Sequence, residues 1–441
     1  MIKKLLLLFV VCISNVITAQ DAQTKKLDAL FDQITNLDRA MGSVSVFKDG
    51  TEIYQRSFGY ADVENTILAT ENTKYKIGSI SKVYTATLIL KLVEEGKLKL
   101  STKLNAFFPE IPNAHQITIK NLLNHSSGLF NYTKSKVFYD WAIVEHTQEE
   151  FLQKIIENGV IFQPNDRHEY SNTNFVLLAF IAEKIYAKPF NSILQDELLT
   201  PLDLNQTQVG GEIDIDNEES YSYRKTDEWE KFPTWVMTNA IGAGSLIATP
   251  TDVNKFINAL FTYKLLGKKW VDKMQKLTKY YGLGMFRYTM LNKEFYGHSG
   301  RMEKFQSLTL YNSNDKLTLT LCVNANTLDF NTLVKAVVAV LQNTSITVPG
   351  LQTIKLTHAK AIEGVYSGEG YAHKIKVFKD DNAIVVQRSG QKAYKTEAIS
   401  ETLFTIKQFN AEFKFSLEDQ KLEFIQHGKG YILYKEKTDT P

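Results

Sequence analysis

Lys76-Ile77-Gly78-Ser79-Ile80-Ser81-Lys82 runs straight into an apolar stretch, Val83 to Glu95, that Gly96 ends. The pattern predicts a helix opening at Ser79 and stopping at the glycine. Residues three apart on a helix share a face, so Ser79 and Lys82 would sit one turn above the other. A serine hydroxyl is a poor nucleophile until a neighbour takes its proton. A lysine amine can take it once burial and nearby positive potential lower its pKa, and the first turn of a helix supplies such potential. The pair predicts acyl transfer at Ser79.

Ser-x-x-Lys also occurs at Ser45/Lys48, Ser222/Lys225, Ser313/Lys316 and Ser389/Lys392, so context has to separate them. Ser313 lies in the turn-like Asn312-Ser313-Asn314-Asp315. Ser45 lies in an alternating strand pattern, where this spacing puts the two residues on opposite faces. Only Ser79 leads into a long helical run.

Outward from this stretch, the 441 residues are long enough for two or three domains and a large core. Fifty-one Lys and Arg against 49 Asp and Glu leave a net charge of +2, which gives no electrostatic case for nucleic acid. Lys3 and Lys4 precede the apolar run Leu5 to Ile13, and Ile17-Thr18-Ala19 predicts a cut before Gln20. Residues 1–19 therefore read as a signal peptide, and the chain as exported, periplasmic or secreted. The run is too short to span a bilayer, so no transmembrane anchor is expected. After that cut Cys322 is the one cysteine left, in a strand-like segment, and reads as a buried structural thiol. The histidines lack metal-ligand spacing; no metal or other cofactor is expected.

Ser43 to Phe47 and Glu52 to Phe58 read as a hairpin, and so do Phe305 to Tyr311 and Leu317 to Val323. Helical periodicity fills the region between, in Phe151 to Ile156 and Phe175 to Tyr186 among others. Phe330 to Leu341 reads as a helix packing back on the sheet. This order predicts an α+β domain over residues 20–347, whose antiparallel sheet is closed by distant segments. Beyond Val348-Pro349-Gly350 the pattern turns into short alternating strands, for example Lys374 to Phe378, Ala383 to Gln387 and Glu412 to Phe415, with turn clusters such as Lys379-Asp380-Asp381-Asn382. Residues 348–441 read as an all-β domain, a small barrel or sandwich.

Two further stretches carry chemistry. In Glu169-Tyr170-Ser171-Asn172 a phenol beside a lysine ammonium is expected to titrate lower than usual, which makes Tyr170 a candidate general base or acid. Asn172 could bond both Lys82 and a substrate amide. In Gly297-His298-Ser299-Gly300, just before the strand expected from Phe305, glycine would let a substrate backbone approach a strand edge.

Together, Ser79-Ile80-Ser81-Lys82, Tyr170-Ser171-Asn172 and His298-Ser299-Gly300 resemble the serine β-lactamase and penicillin-binding-protein superfamily, in order and separation. The Tyr-Ser-Asn form is similar to the class C branch, which includes esterases, D-aminopeptidases and D,D-peptidases. Asn121 to Leu129 and Gly242 to Asp252 resemble further family segments, and the likeness covers roughly Leu27 to Leu341. It implies a β-lactamase/transpeptidase-like fold, and attack by Ser79 on a carbonyl carbon. Lys82 and Tyr170 would share the proton work, and Asn172 would order them. The oxyanion would sit between the backbone N–H groups of Ser79 and Arg301. His298, Ser299, Gly300 and Arg301 would orient the substrate. Class C β-lactamases usually carry lysine where His298 stands, and relatives often have glycine at the positions of Arg301 and Lys304. The expectation is thus an exported serine hydrolase of a D-amino-acid peptidase or esterase type acting on a small molecule or peptide. A true β-lactamase and a non-catalytic binding protein are the alternatives. Oligomeric state is left open.

Overall fold

The computed structural model describes residues 21–351, 356–380, 383–406 and 409–436. The expected signal peptide, and Asp381-Asn382 of one expected turn, lie outside them. Two units follow one another along the chain, the first ending at Ile346 and the second beginning at Thr347.

The first unit is built on a six-stranded antiparallel sheet. Its strands are β1 (Ala40–Lys48), β2 (Thr51–Phe58), β3 (Phe286–Met290), β4 (Lys293–Met302), β5 (Phe305–Asn312) and β6 (Leu317–Asn326), in the order β3-β4-β5-β6-β1-β2. β1 and β6, from opposite ends of the unit, pair at the centre with Val44 opposite Leu321. The period of two divides β1 between two layers. Val44 and Val46 share a face with Tyr54 and Phe58 of β2, and helix 21–36 covers it by packing Phe31 against both rings at 6.4 and 4.9 Å. Ser45 points the other way. There α3 (Pro250–Phe261) docks through Asn254, which donates to Ser45 O at 2.8 Å and accepts from Thr320 Oγ1 at 2.7 Å.

α1 (Ser81–Glu94) is apolar nearly all round, and a helix of that kind belongs inside a core. Tyr84 stacks on Phe256 of α3 at 3.6 Å between ring centres. Leu88, Ile89, Leu90 and Leu92 are fully buried, each stabilising the fold by about 1.5–3 kcal/mol. α2 (Asn172–Tyr186) lies beside it and is equally apolar; α4 (Phe330–Leu341) spans the residues expected of it.

Two strands of this sheet escaped the sequence reading. β3 was unread, and His298-Ser299-Gly300 lies inside β4 instead of leading into β5. Gly297 and Gly300 break the β-branched, alternating signal there, because the backbone has to pass close to its neighbours. A Cβ on Gly300 would stand 1.9 Å from Ile77 O, and one on Gly297 equally close to Thr309 O.

The second unit is a nine-stranded antiparallel meander. Its last strand, Lys429–Lys435, pairs back on its first, Gly364–Gly368. The two edge strands are neighbours in sequence, and Thr396 between them donates N–H and Oγ1–H to Ile384 O. The sheet thereby closes nearly into a barrel. Inward residues alternate with outward ones, as in Ala411, Phe413 and Phe415. Among the described residues no helix is long and apolar enough to cross a membrane.

Candidate active site

Ser79 stands one turn before the α-helix, in a 3-10 turn from Gly78 to Ile80, not at the opening of α1 as expected. Gly78 has φ +52°, and a Cβ there would lie 2.7 Å from Arg301 N. The turn is tied down by Ser81, whose hydroxyl donates to Gly78 O at 2.7 Å and accepts from Leu246 N at 3.1 Å. Ser307 Oγ donates to Ile77 O at 2.8 Å. The start of β5, and with it Gly300 of β4 opposite Ser307, is thus held against the backbone just before Ser79.

Lys82 is fully buried, with Nζ 2.9 Å from Ser79 Oγ, 2.7 Å from Asn172 Oδ1 and 2.6 Å from Ala243 O. Those partners are three neutral oxygens. Burial without a counter-ion among them holds the amine well below the ordinary lysine range. A neutral amine has two N–H bonds and one lone pair. It can donate to the two carbonyl-type oxygens and accept from the Ser79 hydroxyl, which is the geometry of a base facing its nucleophile.

Asn172, the first residue of α2, is fixed in its orientation. Its Nδ2 donates to Thr133 Oγ1 at 3.0 Å and to Asn131 Oδ1 at 3.3 Å, which turns Oδ1 toward Lys82. Tyr170 also comes to this point. Lys82 Nζ is 4.9 Å from the centre of its ring, and its hydroxyl shares a hydrogen bond with Ser79. The expected fall in its pKa does not occur. Burial raises the phenol, and the Ser79 contact offsets the rise only in part. Tyr170 is therefore a proton donor at rest, not a phenolate base.

His298 is buried, not poised in the cleft. Its Nδ1 lies 2.6 Å from Ser299 O, its Nε2 3.2 Å from the Tyr281 hydroxyl, and its ring 4.9 Å from that of Phe286. Burial, then the charge of Lys82, lower its pKa to about 3. Between pH 3 and the ordinary 6.5 the unfolded chain takes up a proton that the folded protein refuses, so stability falls as pH drops through that window. His298 should weaken the fold by about 2–3 kcal/mol at pH 4.5 relative to pH 7. His125, buried against Tyr170 and also lowered, acts in the same sense. Urea unfolding at both pH values should show His298→Gln losing less of its own stability on acidification than the parent chain.

A cleft of about 710 Å³ opens over Ser79, Asn172 and Arg301; Lys82 and His298 lie outside its wall. Pairing of β3 with β4 ends at Phe286 opposite Gly297, so His298 to Met302 keep one edge free of it. Ser299 and Arg301 are exposed and Gly300 is buried. Arg301, Lys304 and Lys136 bring positive charge to the cleft. Among the described residues its one lining carboxylate, Glu303, is engaged by Lys76 at 2.6 Å.

Several participants were missed in the sequence. Ala243 acts through a carbonyl that any residue could supply. The Lys76–Glu303 pair joins positions too far apart for local spacing to show. Asn131 and Thr133 follow the loop from Asn121 to Leu129, and their one signal is the Asn-x-Thr turn in which Asn131 caps Thr133.

Residues 27–343 match the family described as Beta-lactamase. Teichoic acid D-alanine hydrolase of Staphylococcus aureus (strain NCTC 8325 / PS 47) is 27% identical over 321 residues, covering 71% of this chain and 76% of that protein. D-amino acid amidase from Ochrobactrum anthropi SV3, solved with D-phenylalanine, superposes with a TM-score of 0.64 at 25% identity over 72% of this chain and 99% of the amidase. The octameric penicillin-binding protein homologue from Pyrococcus abyssi shares the fold over 93% of this chain and 99% of its own, with a TM-score of 0.70 at 24% identity. With the family match spanning most of its length, this chain belongs to the Beta-lactamase family and is a serine hydrolase of the β-lactamase-related type.

Proposed function

We propose that this protein is an exported hydrolase that cleaves an ester or amide of a D-amino acid through an acyl-enzyme on Ser79. The observation that carries the reading is the buried Lys82 amine, 2.9 Å from the Ser79 hydroxyl and pushed by burial well below the ordinary lysine range. Lys82 takes the hydroxyl proton as Oγ bonds to the carbonyl carbon. The oxyanion that forms is received by the N–H groups of Ser79 and Arg301, brought together by the glycines at 78 and 300. Tyr170 gives its proton to the departing oxygen or nitrogen and recovers one from Lys82. Water then attacks the acyl carbon, its proton passes to the amine, and the acid leaves with Ser79 restored. Asn172 keeps Lys82 aimed throughout.

The cleft and the relatives support this substrate class. D-alanine and D-amino acids appear in the names of two of them. The buried, neutral His298 provides no fixed cation of the kind a β-lactam carboxylate meets in class C enzymes, which favours the peptidase or esterase reading. The positive lining favours a substrate with an anionic group near the scissile bond, and Arg301 is placed to meet it.

A fluorophosphonate probe tests the core of this. It should label Ser79, located by mass spectrometry, and leave Ser79→Ala unmodified. Among substrates, a D-alanyl ester or peptide should turn over faster than its L-isomer and faster than a chromogenic cephalosporin. Arg301→Ala should raise KM about tenfold for an anionic substrate and leave a neutral one nearly unchanged, consistent with a charge-assisted hydrogen bond of about 1.5–3 kcal/mol. Equal effects on both substrates would remove Arg301 from recognition.

A further inference from the structure

We propose that the barrel of the second unit is itself a binding site, for a small amphipathic anion with an apolar body and a carboxylate-type head. This is independent of the chemistry at Ser79. Barrels of this size are either filled by their own side chains or leave room for one small ligand. Here the filling is uneven. Tyr366 and Phe404 both pack on Phe415, at 5.6 and 5.8 Å, and Tyr366 donates to Ile362 O of the short helix Ala359–Ile362. None of these residues borders the remaining space, a cavity of about 380 Å³ walled by Ile375, Val386, Phe413 and Phe424. That volume suits a small organic molecule.

Two polar groups in the wall of the cavity give the ligand its head. Tyr371 Oη and Arg388 Nε are buried, with no partner at hydrogen-bond geometry among the described residues apart from the contact the two side chains make with each other. Arg388 Cζ lies 5.9 Å from the Tyr371 ring centre, so the two stand side by side. A buried donor without an acceptor costs about 1–3 kcal/mol, and such groups are rare unless a site uses them. In their contact the phenol oxygen can only accept from the guanidinium, so the Tyr371 O–H is left without an acceptor among the described residues. A carboxylate offers two oxygens to just this arrangement. Lys392 adds a second positive charge to the lining, and among the described residues no Asp or Glu borders the cavity. The apolar wall takes the rest of the molecule.

Isothermal titration of the full chain with octanoate and with octanol tests the proposal. Octanoate should saturate a single site. Arg388→Gln should weaken it at least tenfold while changing octanol affinity less than twofold. Tyr371→Phe, which removes one oxygen and no bulk, should weaken octanoate several-fold at an unchanged melting temperature. Arg301→Ala, in the other unit, should leave octanoate affinity as it is. The proposal falls if octanoate shows no saturable binding at millimolar concentration, or if Arg301→Ala abolishes it. It also falls if Tyr371→Phe and a folded Arg388→Gln both bind octanoate as the parent does. Should Arg388→Gln fail to fold, Tyr371→Phe decides alone.

Discussion

Lys82→Met should slow acylation of Ser79 by about 10⁴-fold, the upper range for removing a positioned base. The side chain keeps its length and its apolar stem, so the effect isolates the amine. Burst kinetics with an activated ester, followed by mass spectrometry of the adduct, would measure it; acylation within tenfold of the parent would exclude Lys82 as the base. Lys82→Arg should be as inactive, because a guanidinium cannot give up its proton near neutral pH. The same residue carries a stability signature. In the unfolded chain Lys82 titrates near 10.4, whereas burial holds it well below that in the fold. Between those two values the unfolded state binds a proton that the folded state lacks, so Lys82 opposes folding at neutral pH and the penalty shrinks as pH rises toward 10. Chemical unfolding should therefore show stability rising more steeply from pH 7 to 10 in the parent chain than in Lys82→Met. Activity should follow the opposite ordering, and its acid limb should lie far below the titration of free lysine.

This contrast explains what the sequence could and could not show. Ser79 and Lys82 were legible because helical spacing alone brings them to one face, and the long apolar run after them excluded the four competing pairs. Tyr170 and Asn172 were legible as a short motif, yet the protonation of Tyr170 was not. The sign of a pKa shift depends on whether burial or a neighbouring charge dominates, and burial is a property of the whole fold. At Tyr170 burial outweighs the Ser79 contact, so the phenol moves up where a neighbouring ammonium was expected to bring it down. His298 followed the same logic. Its motif was visible, but the shell of Tyr281 and Phe286 that makes it a buried structural group comes from a segment the local pattern left unread. In the second unit the alternation of Ala411 to Phe415 announced a sheet facing a core. The cavity inside it depends on which aromatic rings meet, and that is invisible along the chain.

Breaking the Lys76–Glu303 pair should cost about 3–5 kcal/mol, the usual penalty for stranding a buried charge. Lys76 lies three residues before Ser79 and Glu303 two after Arg301, so the pair staples together the two backbone segments proposed to hold the oxyanion. Both side chains are almost wholly shielded, at 3% and 0% exposure, and Glu303 also accepts from Trp235 N at 2.6 Å and Ser222 Oγ at 3.2 Å. Glu303→Gln keeps an acceptor for Trp235 but leaves Lys76 without its counter-ion. Lys76→Met does the reverse, leaving a carboxylate with only neutral donors. Each single variant should therefore melt well below the parent, and the double variant should recover at least half of the loss, because neither charge is then left alone. Additive losses would mean that the two residues act separately. The catalytic consequence has its own signature. A staple that positions backbone donors affects the transition state more than the bound substrate, so the double variant should show kcat lowered by about tenfold or more with KM little changed. A rise in KM at constant kcat would instead place Glu303 and Lys76 in substrate binding, since Glu303 also lines the cleft.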